Sequence, residues 1–224
     1  MILKKLSHSF ENFSIYVENI NFDKGKIYAL IGKNGAGKTT LMNAITNNLN
    51  LNGNIEMDID EDKILYIPTE LNAYEFLTVK EFINLLLKHN DTNSNYDYVI
   101  EKLNLKNKEN ELIANLSQGM SKKIALSPIF IRNFDFLILD EPFNGLDKHG
   151  VAEIRELLLD INYIFELKIY LKEISKDCAI LISSHILDTL SDICDEFFIM
   201  KDGKIVKILD KSTENLESEI LECI

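Results

Sequence analysis

No stretch of this 224-residue chain approaches the ~18 uninterrupted apolar residues that a helix needs to span a bilayer. The opening Met1-Ile2-Leu3-Lys4-Lys5 is not followed by the apolar block of a signal peptide. These absences predict a cytoplasmic protein; if it serves a membrane process, the membrane-embedded part is another chain. Positive charge is scarce as well: Lys and Arg number 24 against 36 Asp and Glu, a net charge of -12. The two arginines, Arg132 and Arg155, lie in no basic patch. A general nucleic-acid binder needs clustered cations to displace counterions, so no nucleic-acid partner is expected. Adsorption to anionic lipid is disfavoured for the same reason. Cys178, Cys194 and Cys223 are odd in number and far apart, with no CxxC or Cys/His cluster. That argues against a disulfide framework or a zinc site and predicts buried, reduced thiols. His8, His89 and His149 have no ligand-like neighbours and are expected to be surface or packing residues.

What is present begins with a hydrophobic content of 46%, enough for a sizeable core in one large α/β domain or two small ones. Residues 14–22 alternate and 26–31 are largely apolar, so both read as strands, with Asp23-Lys24-Gly25 as the turn between them. A helix is expected at 38–48 and short strands at 55–59 and 64–67. From 79 to 132 the period turns helical, with segments at 79–87, 98–103 and 121–132, the last kinked or shifted by Pro128. This block reads as a helical subdomain, 72–132, inserted in a single α/β domain that runs 1–224. A strand at 179–183 and a helix at 186–194 follow, and Asp202-Gly203 between apolar runs predicts a hairpin. Neither an internal repeat nor a low-complexity linker interrupts the chain.

Three segments carry chemistry. Gly32-Lys33-Asn34-Gly35-Ala36-Gly37-Lys38-Thr39 sits between a predicted strand and a helix that continues with Thr40, the context a phosphate-binding loop requires. Its glycines let backbone N–H groups turn inward toward phosphate. Lys38 can reach the β- and γ-phosphates, and the Thr39 hydroxyl can ligate Mg²⁺. The loop alone defines a nucleotide binder, a class that includes kinases, GTPases and helicases. Next, the apolar strand Phe136-Leu137-Ile138-Leu139 delivers Asp140 and Glu141 to its C-terminal edge, where ligands bind in open α/β sheets. There Asp140 would hold the Mg²⁺ shell and Glu141 would orient and deprotonate the attacking water. Last, Leu116-Ser117-Gln118-Gly119-Met120 precedes a predicted helix. Ser117 can donate to a phosphate and Gly119 allows close backbone approach; taken alone, the segment reads better as a helix cap.

In this order the three segments resemble the nucleotide-binding domain of an ABC (ATP-binding cassette) protein. The ending Gly119-Met120 resembles the ATP subunits of bacterial exporters of drugs and antimicrobial peptides, such as the bacitracin and lantibiotic systems. Asn144-Gly145-Leu146-Asp147 resembles the D-loop, in which Asp147 lines the partner's site. Ser183-Ser184-His185 resembles the switch segment, in which His185 contacts the γ-phosphate. Leu77-Thr78-Val79 resembles the end of the Q-loop region, and Phe10 best fits the adenine-stacking position, with Phe13 and Tyr16 close by. The resemblance implies a P-loop core of RecA-like, ABC type, with an N-terminal antiparallel part and an inserted helical subdomain. It also implies ATP and Mg²⁺ as ligands, a second ABC ATPase domain as partner in a homo- or heterodimer, and separate transmembrane permease subunits at the inner face of the membrane. In such dimers each ATP lies between one chain's P-loop and the other chain's signature.

The chain departs from the family in three places, the first being the adenine-stacking aromatic, where Phe10, Phe13 and Tyr16 could each stack on a base. Thr69 in Tyr66-Ile67-Pro68-Thr69-Glu70 falls where a glutamine usually touches Mg²⁺ and water; threonine is shorter, and Glu70 is a candidate substitute. The segment between Asp147 and residue 179 is long: helical spacing runs through Phe165, then Phe165, Leu167, Ile169 and Leu171 alternate like a strand. It reads either as a longer surface helix or as an added contact surface for a partner. The leading functional reading is an ATPase subunit of a bacterial exporter. The alternative is a non-transport ABC ATPase acting in DNA repair, cluster assembly or on ribosomes.

Overall fold

Strands at the start of the chain open an antiparallel edge. In the computed structural model, which describes residues 1–10, 13–48, 53–70, 72–90, 92–144, 154–185, 187 and 189–224, β1 (Ile2–Ser9) pairs with β2 (Ser14–Asn21). β1 escapes the sequence reading because its buried positions, Leu3, Leu6 and His8, do not alternate strictly. A bulge between Leu3 and Lys5, where β1 meets β4 (Gly53–Met57), breaks the period of two.

β3 (Ile27–Ile31) is buried along its whole length and leads through the glycine loop into α1 (Lys38–Ile45). β5 (Ile64–Ile67) precedes a run of helices: α2 (Val79–His89), α3 (Tyr96–Leu103) and α4 (Gln118–Ala125). Then come β6 (Phe136–Leu139), α5 (Ile154–Ile174), β7 (Ala179–Ser184), β8 (Glu196–Lys201), β9 (Lys204–Asp210) and α6 (Leu216–Cys223). Among the described residues, nine strands form one sheet in the order β4-β1-β2-β9-β8-β3-β7-β6-β5. The fold is α/β: β8, β3, β7 and β6 run parallel, and the β4-β1-β2 edge is antiparallel. None of the described helices is long and apolar enough to cross a membrane.

Two compact units divide the chain. The first comprises Met1–Tyr66, Phe134–Phe143 and Lys168–Ile224 and holds nearly all of the sheet. Its core includes an aromatic cluster in which Phe22 meets Tyr28, Phe136 and Phe198 at ring separations of 5.1, 4.8 and 5.7 Å. Burying each such ring stabilises the fold by roughly 1.5–3 kcal/mol before entropy is subtracted. Register does the positioning here. Ile31 lies beside Ser184, and Leu139 beside Ile182, so β3, β7 and β6 end together at their C-terminal edge. The residues that follow are Gly32, His185 and Asp140.

The second unit comprises Ile67–Asn133 and Asn144–Leu167, and so contains the block at 72–132. Its core gathers Val79, Phe82, Ile83, Ile100, Leu103, Ile124 and Ile131. α2 starts at a capping box: the Glu81 N–H donates to Thr78 Oγ1, and the Thr78 N–H donates back to Glu81.

Several elements differ from expectation. The helix expected at 121–132 begins earlier, at Gln118, and ends at Ala125; Pro128 then opens a 3-10 turn, Ser127–Phe130. Proline lacks the N–H that a continuing α-helix would use. The strand-like alternation at 165–171 lies inside α5. Leu167 and Leu171 are buried four residues apart while Phe165 and Ile169 are exposed four residues apart, so two helical ladders interleave to imitate a period of two. Tyr163, Leu167 and Leu171 are buried, so this stretch of α5 is not a surface segment alone. The described residues within 186–194 form turns rather than the expected helix. α6 went unanticipated.

Candidate nucleotide site

The glycine loop leaves β3 with Gly35 at φ 84° and Gly37 at φ 105°. The second is also a close approach, since a Cβ on Gly37 would lie 2.8 Å from the Phe13 ring. Gly37 caps α1, so the α1 N-terminus and its unpaired N–H groups open directly onto the loop. The Lys38 ammonium is buried and donates to the carbonyls of Gly32 at 2.7 Å and Lys33 at 3.4 Å. The Gly203 N–H donates to Ala36 O at 3.0 Å, fastening the β8–β9 hairpin to the loop.

Asp140 and Glu141 follow β6 and are both buried. One Asp140 oxygen accepts from Thr39 Oγ1 at 2.8 Å and from the Tyr66 phenol at 3.4 Å; the other accepts from Ser183 Oγ at 2.6 Å. Burial, reinforced by the neighbouring Asp140 charge, pushes the Tyr66 phenol well above its ordinary range. Glu141 adopts φ 49°, in the left-handed region. Its carboxylate lies 3.4 Å from the Lys38 ammonium and 2.9 Å from His185 Nδ1, and its N–H donates to Ser183 Oγ at 2.8 Å. Lys38, Thr39, Asp140, Glu141 and His185, which are up to 147 residues apart in sequence, therefore meet at one place. Sequence reasoning gave Tyr66 and Ser183 no role there. Their contacts with Asp140 depend on which strand lies beside β6, which no local pattern encodes.

The aromatic candidates separate. Phe13 packs against Gly37, Phe10 is 45% exposed with its ring centroid 6.3 Å from that of Phe13, and Tyr16 hydrogen-bonds Glu18. In the second unit, Ser117 is the N-cap of α4, accepting from the Met120 N–H at 3.4 Å, and Gly119 is buried in the first turn. The Thr69 carbonyl accepts from the Lys122 ammonium at 2.8 Å. Asp147 lies outside the described residues.

Thr39 and Asp140 fit Mg²⁺. Their hard oxygens lie 2.8 Å apart. The described residues hold no group of three His, Cys, Asp or Glu side chains of the kind an all-protein metal cage requires. Mg²⁺ is commonly held by one or two protein oxygens together with substrate phosphates.

A glycine loop between a buried parallel strand and a helix, facing two acids at the end of the strand one place removed in the sheet, defines a P-loop nucleotide-binding protein. The profile of the ABC transporter family matches residues 17–144. An uncharacterised ABC transporter ATP-binding protein of Methanocaldococcus jannaschii is 35% identical over 85% of this chain and 70% of its own length. A lantibiotic transport ATP-binding protein of Streptococcus pyogenes is 32% identical over 89% of this chain and 86% of its own. A bacitracin transport ATP-binding protein of Enterococcus faecalis is 30% identical over 84% and 62%. Among solved structures, the ATP-binding subunit of an ABC transporter superposes with a TM-score of 0.79 at 25% identity, covering 99% of this chain and 98% of that one. The chain belongs to the ABC transporter family, as an ATP-hydrolysing subunit.

Proposed function

We propose that this chain works as a homo- or heterodimer of ABC ATPase domains, held at the inner face of a bacterial membrane by separate permease subunits, and powers export of a peptide or drug-like molecule. The export reading is supported by the named lantibiotic and bacitracin relatives and by the Gly119-Met120 ending. Residues 72–132 are assigned as the helical subdomain. The glycine loop, from Gly32 through Thr40, holds the phosphates, with Lys38 on the β- and γ-oxygens. Phe10, the more exposed ring beside the loop, stacks on adenine with Phe13 behind it. Ser117 and Gly119 serve the ATP of the partner, as does Asp147.

Thr39 and Asp140 would hold Mg²⁺, which when bound neutralises charge on the phosphate oxygens. Glu141 accepts a proton from water as the water oxygen bonds to the γ-phosphorus. The bond from that phosphorus to the bridging oxygen breaks, and ADP departs with the electron pair. His185 holds the Glu141 carboxylate on its other side and contacts the γ-phosphate.

The observation that carries this reading is the Glu141 carboxylate lying between Lys38 and His185, beside the Thr39–Asp140 pair. Glu141→Gln keeps the shape and removes the base. Phosphate release should fall by roughly a hundredfold or more, while ATP binding persists and an ATP-bound dimer accumulates. Turnover near wild type would remove Glu141 from the role of base. In cells that carry the permease, the same variant should abolish any lantibiotic resistance the system confers.

A further inference from the structure

Ser183 touches both acids at once. Its hydroxyl, at the end of β7 and 0% exposed, donates to Asp140 Oδ1 at 2.6 Å and accepts from the Glu141 N–H at 2.8 Å. A hydroxyl carries one proton and two lone pairs, so the two bonds coexist without competition. The partners are 43 and 42 residues away, which sets this arrangement apart from the local serine-to-backbone bonding common in turns. The cross-strand register explains the meeting: β6 and β7 pair through Leu139 and Ile182, and one step further on lie Asp140 and Ser183.

Both bonds act where geometry matters. With Thr39 on Oδ2 and Ser183 on Oδ1, the Asp140 carboxylate is held from both sides and cannot rotate freely about its Cβ–Cγ bond. Glu141 sits at φ 49°, a backbone state that a residue with a Cβ adopts only when its surroundings impose it. The Ser183 bond to the Glu141 N–H anchors that state. The same peptide then directs the Glu141 side chain to Lys38 and His185.

We propose that Ser183 is a positioning residue for hydrolysis, setting through one hydroxyl both the carboxylate plane of Asp140 and the backbone of Glu141. The proposal rests on the assignment of Asp140 to Mg²⁺ and Glu141 to the proton of water.

The test compares Ser183→Ala, Ser183→Thr and Glu141→Gln for phosphate release, half-saturating Mg²⁺, binding of a fluorescent ATP analogue in EDTA, and melting temperature. Ser183→Ala should lower kcat roughly ten- to a hundredfold, the scale of losing two buried hydrogen bonds in the transition state. It should also raise the half-saturating Mg²⁺ several-fold and leave analogue affinity in EDTA within about twofold, because the phosphate loop itself is untouched. Ser183→Thr keeps the hydroxyl and should recover most of the turnover. If the alanine variant does not fold, Ser183→Cys, close in size but a weak donor, carries the same expectation. Turnover of the alanine variant within about twofold of wild type would overturn the proposal, as would alanine and threonine variants impaired alike. If Glu141→Gln itself hydrolyses ATP normally, the assignment of the acids fails and the proposal falls with it. If Glu141→Gln is inactive and Ser183→Ala is not, the positioning role alone fails.

Discussion

Glu141 is a buried carboxylate in contact with a buried ammonium and an imidazole. A buried ion pair must recover a desolvation cost of several kcal/mol, so its members need further partners. Lys38 finds them in the Gly32 and Lys33 carbonyls, and the Glu141 carboxylate in His185. Phosphate oxygens are stronger partners for an ammonium than carbonyls are, so on the proposed reading ATP would draw Lys38 toward phosphate. Lys38 and Glu141 could be read from motif spacing and His185 from the family resemblance; their mutual contacts could not. The cysteines show the other side of burial. Burial pushes the Cys178 thiol up to about 11, and it pushes Cys194, also buried, further still. Both thiols therefore stay protonated at pH 8. Cys223 is partly exposed. Iodoacetamide at pH 8 should therefore label Cys223 in the native protein, and Cys178 and Cys194 only after denaturation. Mass spectrometry of the digested protein reads this directly, and rapid native labelling of Cys178 would contradict its burial.

Among the elements, the β8–β9 hairpin bears most directly on the site. Asp202 at φ 46° and Gly203 at φ 77° make its two-residue turn, as the Asp-Gly dipeptide predicts. The turn also docks: the Gly203 carbonyl accepts from the Tyr16 N–H at 2.9 Å, and its N–H holds Ala36 of the glycine loop. A Cβ at Gly203 would fall 1.9 Å from the Ser14 carbonyl oxygen, so alanine brings both backbone strain and a clash with main chain. Gly203→Ala should cost at least about 2 kcal/mol and lower the melting temperature by roughly 5 °C or more. It should also weaken ATP binding, because the loop loses its support. Calorimetry and nucleotide titration measure the two effects, and an unchanged melting temperature would rule out the close approach. The turn dipeptide was legible because its signal is local. The extent of α5 was less so, since buried and exposed apolar ladders on one helix mimic a strand. β1 lost its period to a bulge set by its partner β4.

At the level of the whole molecule, charge and assembly decide behaviour. A net charge of -12 opposes the association of like chains at low ionic strength. If Ser117 and Gly119 serve the partner's ATP, as proposed, dilute protein should bind ATP and hydrolyse it slowly. Specific activity should rise with protein concentration, and the rise should begin at lower concentration in moderate salt. A phosphate-release rate per chain that does not vary over a hundredfold dilution would mean that each chain completes its own site. The sequence by itself determined the class of chemistry: the glycine loop, in its strand-to-helix context, is a contiguous string whose function follows from residue type and spacing, and the acids and the signature gain theirs from standing in order beside it. It also pointed to burial of β3 and β6, whose apolar runs leave little polar surface, and the structure buries both along their whole length. Only the tertiary structure decided which atoms meet. Strand order and register are long-range choices, made by packing over the entire sheet, and they alone place Ser183 and Tyr66 on Asp140 and His185 on Glu141.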